Sequence, residues 1–388
     1  MISAQCSRAI EDASRAGKAL LKFISPNDAG LTGSHQCGFY LPQQAWPLYT
    51  SIPPVKGTLK KETVAITWPD GLITESSITW YGQKTRDEFR LTRFGRGFPW
   101  LTPDAVGSLL IYIPLGSNEA AAYVLDTDED INEVIAALGV DVLRGWAIYD
   151  SSRVEEPDEG HCLDELLRVF ARNLDDFPTG QVLSAEARRQ LAECTSFPSS
   201  TADKTLLACM SREFEVFKFI ERLLVGNDIA GPFSSVENFI ELANTILQRR
   251  KARAGRSFEN HVDYILTEGG IPHDMRPPGI QGDPDVVIPG KEEYEDPSFP
   301  DDKLVILGAK RTCKDRWRQV LDEGPRVPNK HLITIQEGIS LKQWTRMNER
   351  GITLIVPQPL HGMYPQGAKL QSVDQFILAT RHRLGIDD

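Results

Sequence analysis

Three residues in the last third of the chain have the types that phosphodiester hydrolysis needs: Asp285 directly after a proline, Lys310, and Glu323. Cutting such a bond requires a cation that activates water and neutralises charge building on the phosphate. Mg2+ is hard and takes carboxylate oxygens, with waters and phosphate completing its shell. A lysine beside it can orient or help deprotonate the water. Asp285 opens a short apolar run, Asp285–Ile288, and Lys310 closes the next, Leu304–Ala309, so adjacent strands would hold both over one sheet edge. The usual companion acid, two residues before the lysine, is replaced by Gly308. A substitute is available downstream. Thr312–Glu323 is predicted as a helix, with Thr312 as N-cap and Asp315 at its third position. Cys313, Trp317, Val320 and Leu321 would face the core, with Arg316, Gln319 and Glu323 on a polar flank. Glu323 could then turn back to the cation and Arg316 toward nucleic acid. The same residues alone also suit an exposed turn aspartate and a snorkelling lysine. Glu259, following a basic stretch, reads by itself as a solvated helix glutamate.

The elements that must position these residues follow from periodicity. Residues 1–150 read as strand-rich. Thr63–Thr67 and Ile78–Tyr81 flank a Pro69-Asp70-Gly71 turn as a hairpin, and Ser108–Pro114 and Ala121–Leu125 are further strands. Asp128–Leu138 begins acidic and suits a short helix. The polar stretch 151–160 reads as a linker, with a second loose point at 175–180. Helical patterns follow over Glu213–Val225, Ser235–Arg256 and Arg256–Glu268, stopping at Gly269-Gly270. Strands at His331–Gln336 and Thr353–Val356 complete an α/β pattern, a mixed sheet flanked by helices.

Bulk properties set limits. At 388 residues two domains are the default. The six cysteines show no Cys-x-x-Cys pairing, which predicts reduced thiols in a cytoplasmic protein and no zinc site. No run is long and apolar enough to span a membrane, and no signal-peptide pattern opens the chain. His-Glu-x-x-His, Gly-x-Ser-x-Gly and P-loop patterns are absent, so zinc hydrolase, serine hydrolase and nucleotide-binding readings lack residues. The net charge of −11 opposes a polyanion partner, yet three basic clusters stand out: Lys84–Arg96, Arg249–Arg256 and Lys310–Arg318. Phosphate binding depends on local charge, not the chain's sum, so the clusters favour a nucleic-acid partner.

Four blocks, Ser25–Tyr40, Gly82–Gly97, Arg249–Ser257 and Thr312–Gln319, resemble the EcoRII family of restriction endonucleases, in the same order and over nearly the whole chain. The resemblance implies an N-terminal effector domain with a pseudobarrel DNA-binding fold over 1–150, a linker over 151–176, and a PD-(D/E)xK nuclease domain over 177–388. It implies a type II deoxyribonuclease using Mg2+, with Asp285, Lys310, Glu323 and Glu259 catalytic and Asp285 and Glu323 as metal ligands. Lys314, Asp315, Arg316 and Arg318 would read CC:GG base pairs, Arg316 donating to guanine and Asp315 accepting from cytosine. Effector DNA contacts map to His35, Tyr40, Lys84, Arg86, Glu88 and Arg90, with Phe89 where another base would be expected. The family further implies two copies of double-stranded DNA, a homodimer through the C-terminal domain, and cutting at a CCWGG-like site. A methylation-dependent or nicking enzyme on this fold, or a DNA-binding regulator with a dead nuclease core, are the alternatives. The intact Asp285, Lys310 and Glu323 argue against the last.

Overall fold

A computed structural model describes residues 2–31, 37–143, 145–152, 161–195 and 201–386 (Asn227 by backbone alone). The chain divides into two compact units: 1–153 with 337–345 and 362–368, and 154–336 with 346–361 and 369–388.

The first unit is built on eight strands: β1 (Lys18–Phe23), β2 (Phe39–Leu41), β3 (Leu59–Thr67), β4 (Ile73–Tyr81), β5 (Glu88–Thr92), β6 (Leu109–Pro114), β7 (Glu119–Leu125) and β8 (Trp146–Asp150). Their order is β2-β5-β4-β3-β7-β6-β1-β8, and every pairing is antiparallel except β3 with β7. Helices α1 (Ala4–Ala16), α2 (Trp46–Tyr49) and α3 (Asp128–Leu138) accompany it. Period-2 alternation makes both sheet faces apolar. On β6, Leu109, Ile111 and Ile113 join the core shared with α1 and α3, while Leu110 and Tyr112 join an aromatic core on the other face. The expected hairpin is present, with Thr67 opposite Ile73 and both Asp70 and Gly71 at positive φ in the turn. Helix α3 is capped by the Thr127 side chain and closed by left-handed Gly139.

The second unit opens with α4 (Cys162–Arg172), α5 (Gly180–Cys194), α6 (Ala202–Ala230) and α7 (Val236–Glu268). A five-stranded sheet follows: β9 (Asp274–Met275), β10 (Val286–Ile288), β11 (Val305–Ala309), β12 (Lys330–Ile333) and β13 (Ile352–Ile355), with short helices α8 (Lys291–Glu295) and α9 (Trp317–Val320) between strands and α11 (Val373–Leu384) last; α10 (Leu341–Glu349), between β12 and β13, has 341–345 in the first unit and 346–349 in the second. In the order β13-β12-β11-β10-β9, the first two pairings are parallel and the last two antiparallel, which is the mixed sheet expected.

Several expectations fail. The stretch 151–176 is not simply a linker. It contains α4, whose Leu167 is buried with Leu183, Val216, Phe217 and Ile220 of the second unit; its most polar part, 153–160, lies outside the described residues. Cys162 and Cys194 are not reduced thiols but form a disulfide, Cα–Cα 5.7 Å. Sequence spacing missed this pair because the start of α4 and the end of α5 become neighbours only after the helices pack side by side. The two helices expected over 235–268 are one of 33 residues. The helix expected over 312–323 shrinks to the single turn of α9. Just before its predicted start the chain is tied to β12 and the residue after it, Lys310 N–H bonding Ile333 O at 3.1 Å and Thr334 Oγ1 donating to Arg311 O at 3.0 Å. Its predicted end is drawn off by Gly324 N–H bonding Gln281 O at 2.8 Å. Among the described residues, no helix is long and apolar enough to cross a membrane.

Candidate active site

Strands β10 and β11 pair with Val286 opposite Leu307, so antiparallel geometry carries Asp285 to the last residues of β11. Asp285 Oδ2 there accepts the Ala309 N–H at 2.8 Å and the Lys310 ammonium at 2.5 Å. Its own carbonyl accepts the Arg276 N–H at 2.8 Å, which fixes the residue from both sides. Lys310 Nζ also lies 3.4 Å from Glu323 Oε1, and all three side chains are buried. The trio singled out by residue type is thus assembled, although the long helix meant to present Glu323 is absent. A close crossing presents it instead. A Cβ on Gly282, at φ 83°, would stand 2.2 Å from Asp322 O, so the 280–283 turn can pass this near the Glu323 backbone only with glycine there.

Burial dominates the electrostatics. It pushes the Glu323 carboxyl up to about 7, against the pull of Lys310, with Asp285 adding to the rise. Glu323 Oε2 is buried with no hydrogen-bond partner. Glu259, expected to be solvated, is instead mostly buried and ion-paired with Arg276. Burial raises its carboxyl too; Arg276 opposes this, while Asp285 raises it and Lys310 lowers it, placing Glu259 within the field of the trio. Arg276 carried no signal in the sequence: it follows a two-residue strand and precedes Pro277.

Magnesium suits this donor set by its chemistry. Two buried carboxylates, one with an orphan oxygen, offer hard ligands, and an ion that keeps several waters does not require a protein cage. None exists: among the described residues no three His, Cys, Asp or Glu side chains cluster to hold a metal.

Lys314, Asp315 and Arg316 lie half-buried between Lys310 and α9, and Arg318 is exposed with its guanidinium 5.2 Å from the Trp317 ring centre. In the first unit, Tyr40 on β2 stands opposite Arg90 on β5, and Arg90 Nε donates to Glu88 Oε1 at 3.2 Å. These three therefore share one face of the sheet. Burial, then Glu88, raises the Tyr40 hydroxyl, with Arg90 opposing. Phe89 alternates to the opposite face and is fully buried, 4.7 Å from Trp80 and 5.4 Å from Tyr49 by ring centres, which explains an apolar residue in this basic run. Lys84 and Arg86 are exposed, Arg86 lying 5.5 Å from the Tyr81 ring centre. His35 lies outside the described residues.

Three arginines of the basic run 249–256 are taken up in helix packing, while Arg256 is exposed. Arg250 is held by Glu221 at 2.7 Å, Arg253 is buried against Phe214 and Phe217, and Arg249 stacks 4.0 Å from the Phe177 ring centre. These three arginines join helices and add no surface for a nucleic acid.

Comparison with known proteins gives two family matches, "EcoRII C terminal" over residues 217–377 and "Restriction endonuclease EcoRII, N-terminal" over 14–148. The type II restriction enzyme EcoRII of Escherichia coli is 32% identical over 384 residues, covering 92% of each chain. The type II restriction enzyme SsoII of Shigella sonnei is 23% identical over 145 residues, 32% of this chain and 46% of that one. Among solved structures, metal-depleted Ecl18kI in complex with uncleaved, modified DNA matches at 16% identity and TM-score 0.45, covering 57% of this chain and 84% of that one. A PspGI–substrate DNA complex matches at 17% and 0.44, covering 54% and 95%.

Proposed function

The chain belongs to the EcoRII family of type II restriction endonucleases and is a sequence-specific DNA endonuclease, and on that footing we propose that Asp285, Lys310, Glu323 and Glu259 form its cutting centre. The observation that carries this is the buried ammonium of Lys310 set between Asp285 Oδ2 and Glu323 Oε1, at 2.5 and 3.4 Å. Asp285 and Glu323 would hold Mg2+, which when bound supplies charge neutralisation and an activated water. Lys310 bridges the two carboxylates, and its one remaining N–H would be offered to the water or the scissile phosphate. Glu259 shares the field and is anchored through Arg276. Burial excludes bulk water and strengthens each of these interactions.

Recognition is assigned to Lys314, Asp315, Arg316 and Arg318, which directly follow the lysine, with Arg316 donating to guanine and Asp315 accepting from cytosine. We assign a CCWGG-like target to this segment. A second copy of the site would bind the N-terminal unit through His35, Tyr40, Lys84, Arg86, Glu88 and Arg90 and activate the nuclease. Two cutting centres on two strands call for a homodimer through the C-terminal unit. A face suited to that is present: Leu223, Ile229, Phe233, Val236, Phe239 and Ile240 are exposed within 18 residues of the α6–α7 turn.

The test is digestion of methylated and unmethylated plasmid with Mg2+, followed by mapping of the cut ends. Cleavage of the unmethylated plasmid before the first cytosine of CCWGG is expected. Cuts only in methylated plasmid, or single-strand nicks alone, would replace this reading with one of its alternatives.

A further inference from the structure

An arginine-lined cleft in the second unit lies outside the residues assigned above, save for Arg318. It has a volume of about 500 Å3, with Trp317, Arg318 and Asp322 on one wall and Arg346, Glu349 and Arg350 on the other. The first wall connects two assigned segments: Lys314–Arg316 immediately precedes it, and Glu323 immediately follows Asp322. The second wall comes from the end of α10 and the residue after it. There Arg346 and Arg350 are four apart, so they project from the same side of a helical turn.

The arginines carry unspent charge. Among the described residues, Arg318, Arg346 and Arg350 are all exposed, and none forms a salt bridge, although Asp322 and Glu349 line the same cleft. A guanidinium fork pairs with the two oxygens of a phosphate as well as with those of a carboxylate, and the exposed forks of Arg346 and Arg350, beside the recognition residue Arg318, suit a phosphodiester chain. We propose that this cleft takes the sugar-phosphate backbone of the duplex flanking the scissile bond, with Arg346 and Arg350 as backbone-positioning residues. The inference rests on the nuclease reading. Its contacts carry no sequence information and add affinity for any duplex, while the register over Lys310 and Glu323 is left to the recognition segment.

The test compares wild type with Arg346→Ala/Arg350→Ala and Arg346→Lys/Arg350→Lys. Duplex binding is measured in EDTA from 50 to 300 mM salt, and single-turnover cleavage in Mg2+. The alanine variant should bind cognate and unrelated duplex about tenfold to hundredfold more weakly near 0.1 M salt, with a salt slope shallower by about 1 to 2, as expected for losing two phosphate contacts. Its cleavage rate should return to within about threefold of wild type at saturating DNA, because the loss falls on binding. The lysine variant should keep most of the affinity, since a point charge still meets phosphate. Wild-type affinity and slope in the alanine variant would overturn the proposal. So would an alanine variant that binds DNA normally but no longer gains thermal stability from inorganic phosphate, which would make the cleft a free-anion site. If wild type itself neither binds nor cuts duplex, the nuclease reading fails and not merely this inference.

Discussion

Gly308 stands beside Asp285, where a second acid is usual, and Val320 accounts for the glycine. A Cβ at 308 would lie 2.5 Å from Val320 Cγ2 and 3.1 Å from Cγ1, so the side chain filling this space comes from α9. The acid therefore has to arrive from elsewhere, and Glu323 does so three residues after Val320. Residue type and strand-end position made Asp285 and Lys310 legible; Arg276 and the burial of Glu259 were not, because both arise from a loop crossing distant in sequence. A separate buried acid provides a pH test. Glu337, grouped with the first unit, is 3% exposed, bonded by the Gly145 N–H, and leaves Oε1 without a partner. Burial raises its carboxyl from 4.5 to about 7, with Asp141 adding to the rise and Lys22 opposing. An acid whose folded pKa is raised contributes stability fully present below its unfolded value and lost as pH rises through the folded one. From pH 5 to 8, chemical denaturation should show wild type losing about 2 to 3 kcal/mol relative to Glu337→Gln. A constant difference across that range would contradict the assignment.

At the scale of elements, helix α7 shows what periodicity reveals and what it hides. Its stop at Gly269-Gly270 is written in residue type. Its continuity through Arg256 and the structural use of its arginines are not, since Glu221, Phe214, Phe217 and Phe177 come from other segments. Short α9 shows the converse: the amphipathic pattern over 312–323 is flanked by hydrogen bonds that tie 310–311 to β12 and Thr334, and Gly324 to Gln281. The exposed end of α7 yields a prediction proper to the element. Phe239→Asp/Ile240→Asp places charge on both apolar positions, 52% and 50% exposed, so folding should be little affected while a dimer resting on them dissociates. Sedimentation should show wild type as a dimer and the variant as a monomer with unchanged helix content; a variant that stays dimeric would move the interface elsewhere.

For the whole molecule, the two-part organisation was legible from the change of strand-rich to helical pattern near residue 150. The break inside 151–176 was not, because α4 owes its place to the Leu183–Phe217 core and to Cys194. A shortened chain should therefore begin at His161 and keep α4. If the effector unit restrains the nuclease, this shortened chain should cut DNA carrying one site at least tenfold faster than the full chain; loss of cutting in a folded product would remove the restraint from the account. The central claim is more direct: Asp285, Lys310 and Glu323 cut DNA, while other residues bind it. The measurement is paired cleavage and duplex binding for Lys310→Ala. The predicted result is a fall in cleavage of at least about a thousandfold with binding in EDTA within about threefold of wild type, because Lys310 serves the chemical step and other residues hold the duplex. Cleavage at the wild-type rate by Lys310→Ala would contradict the account.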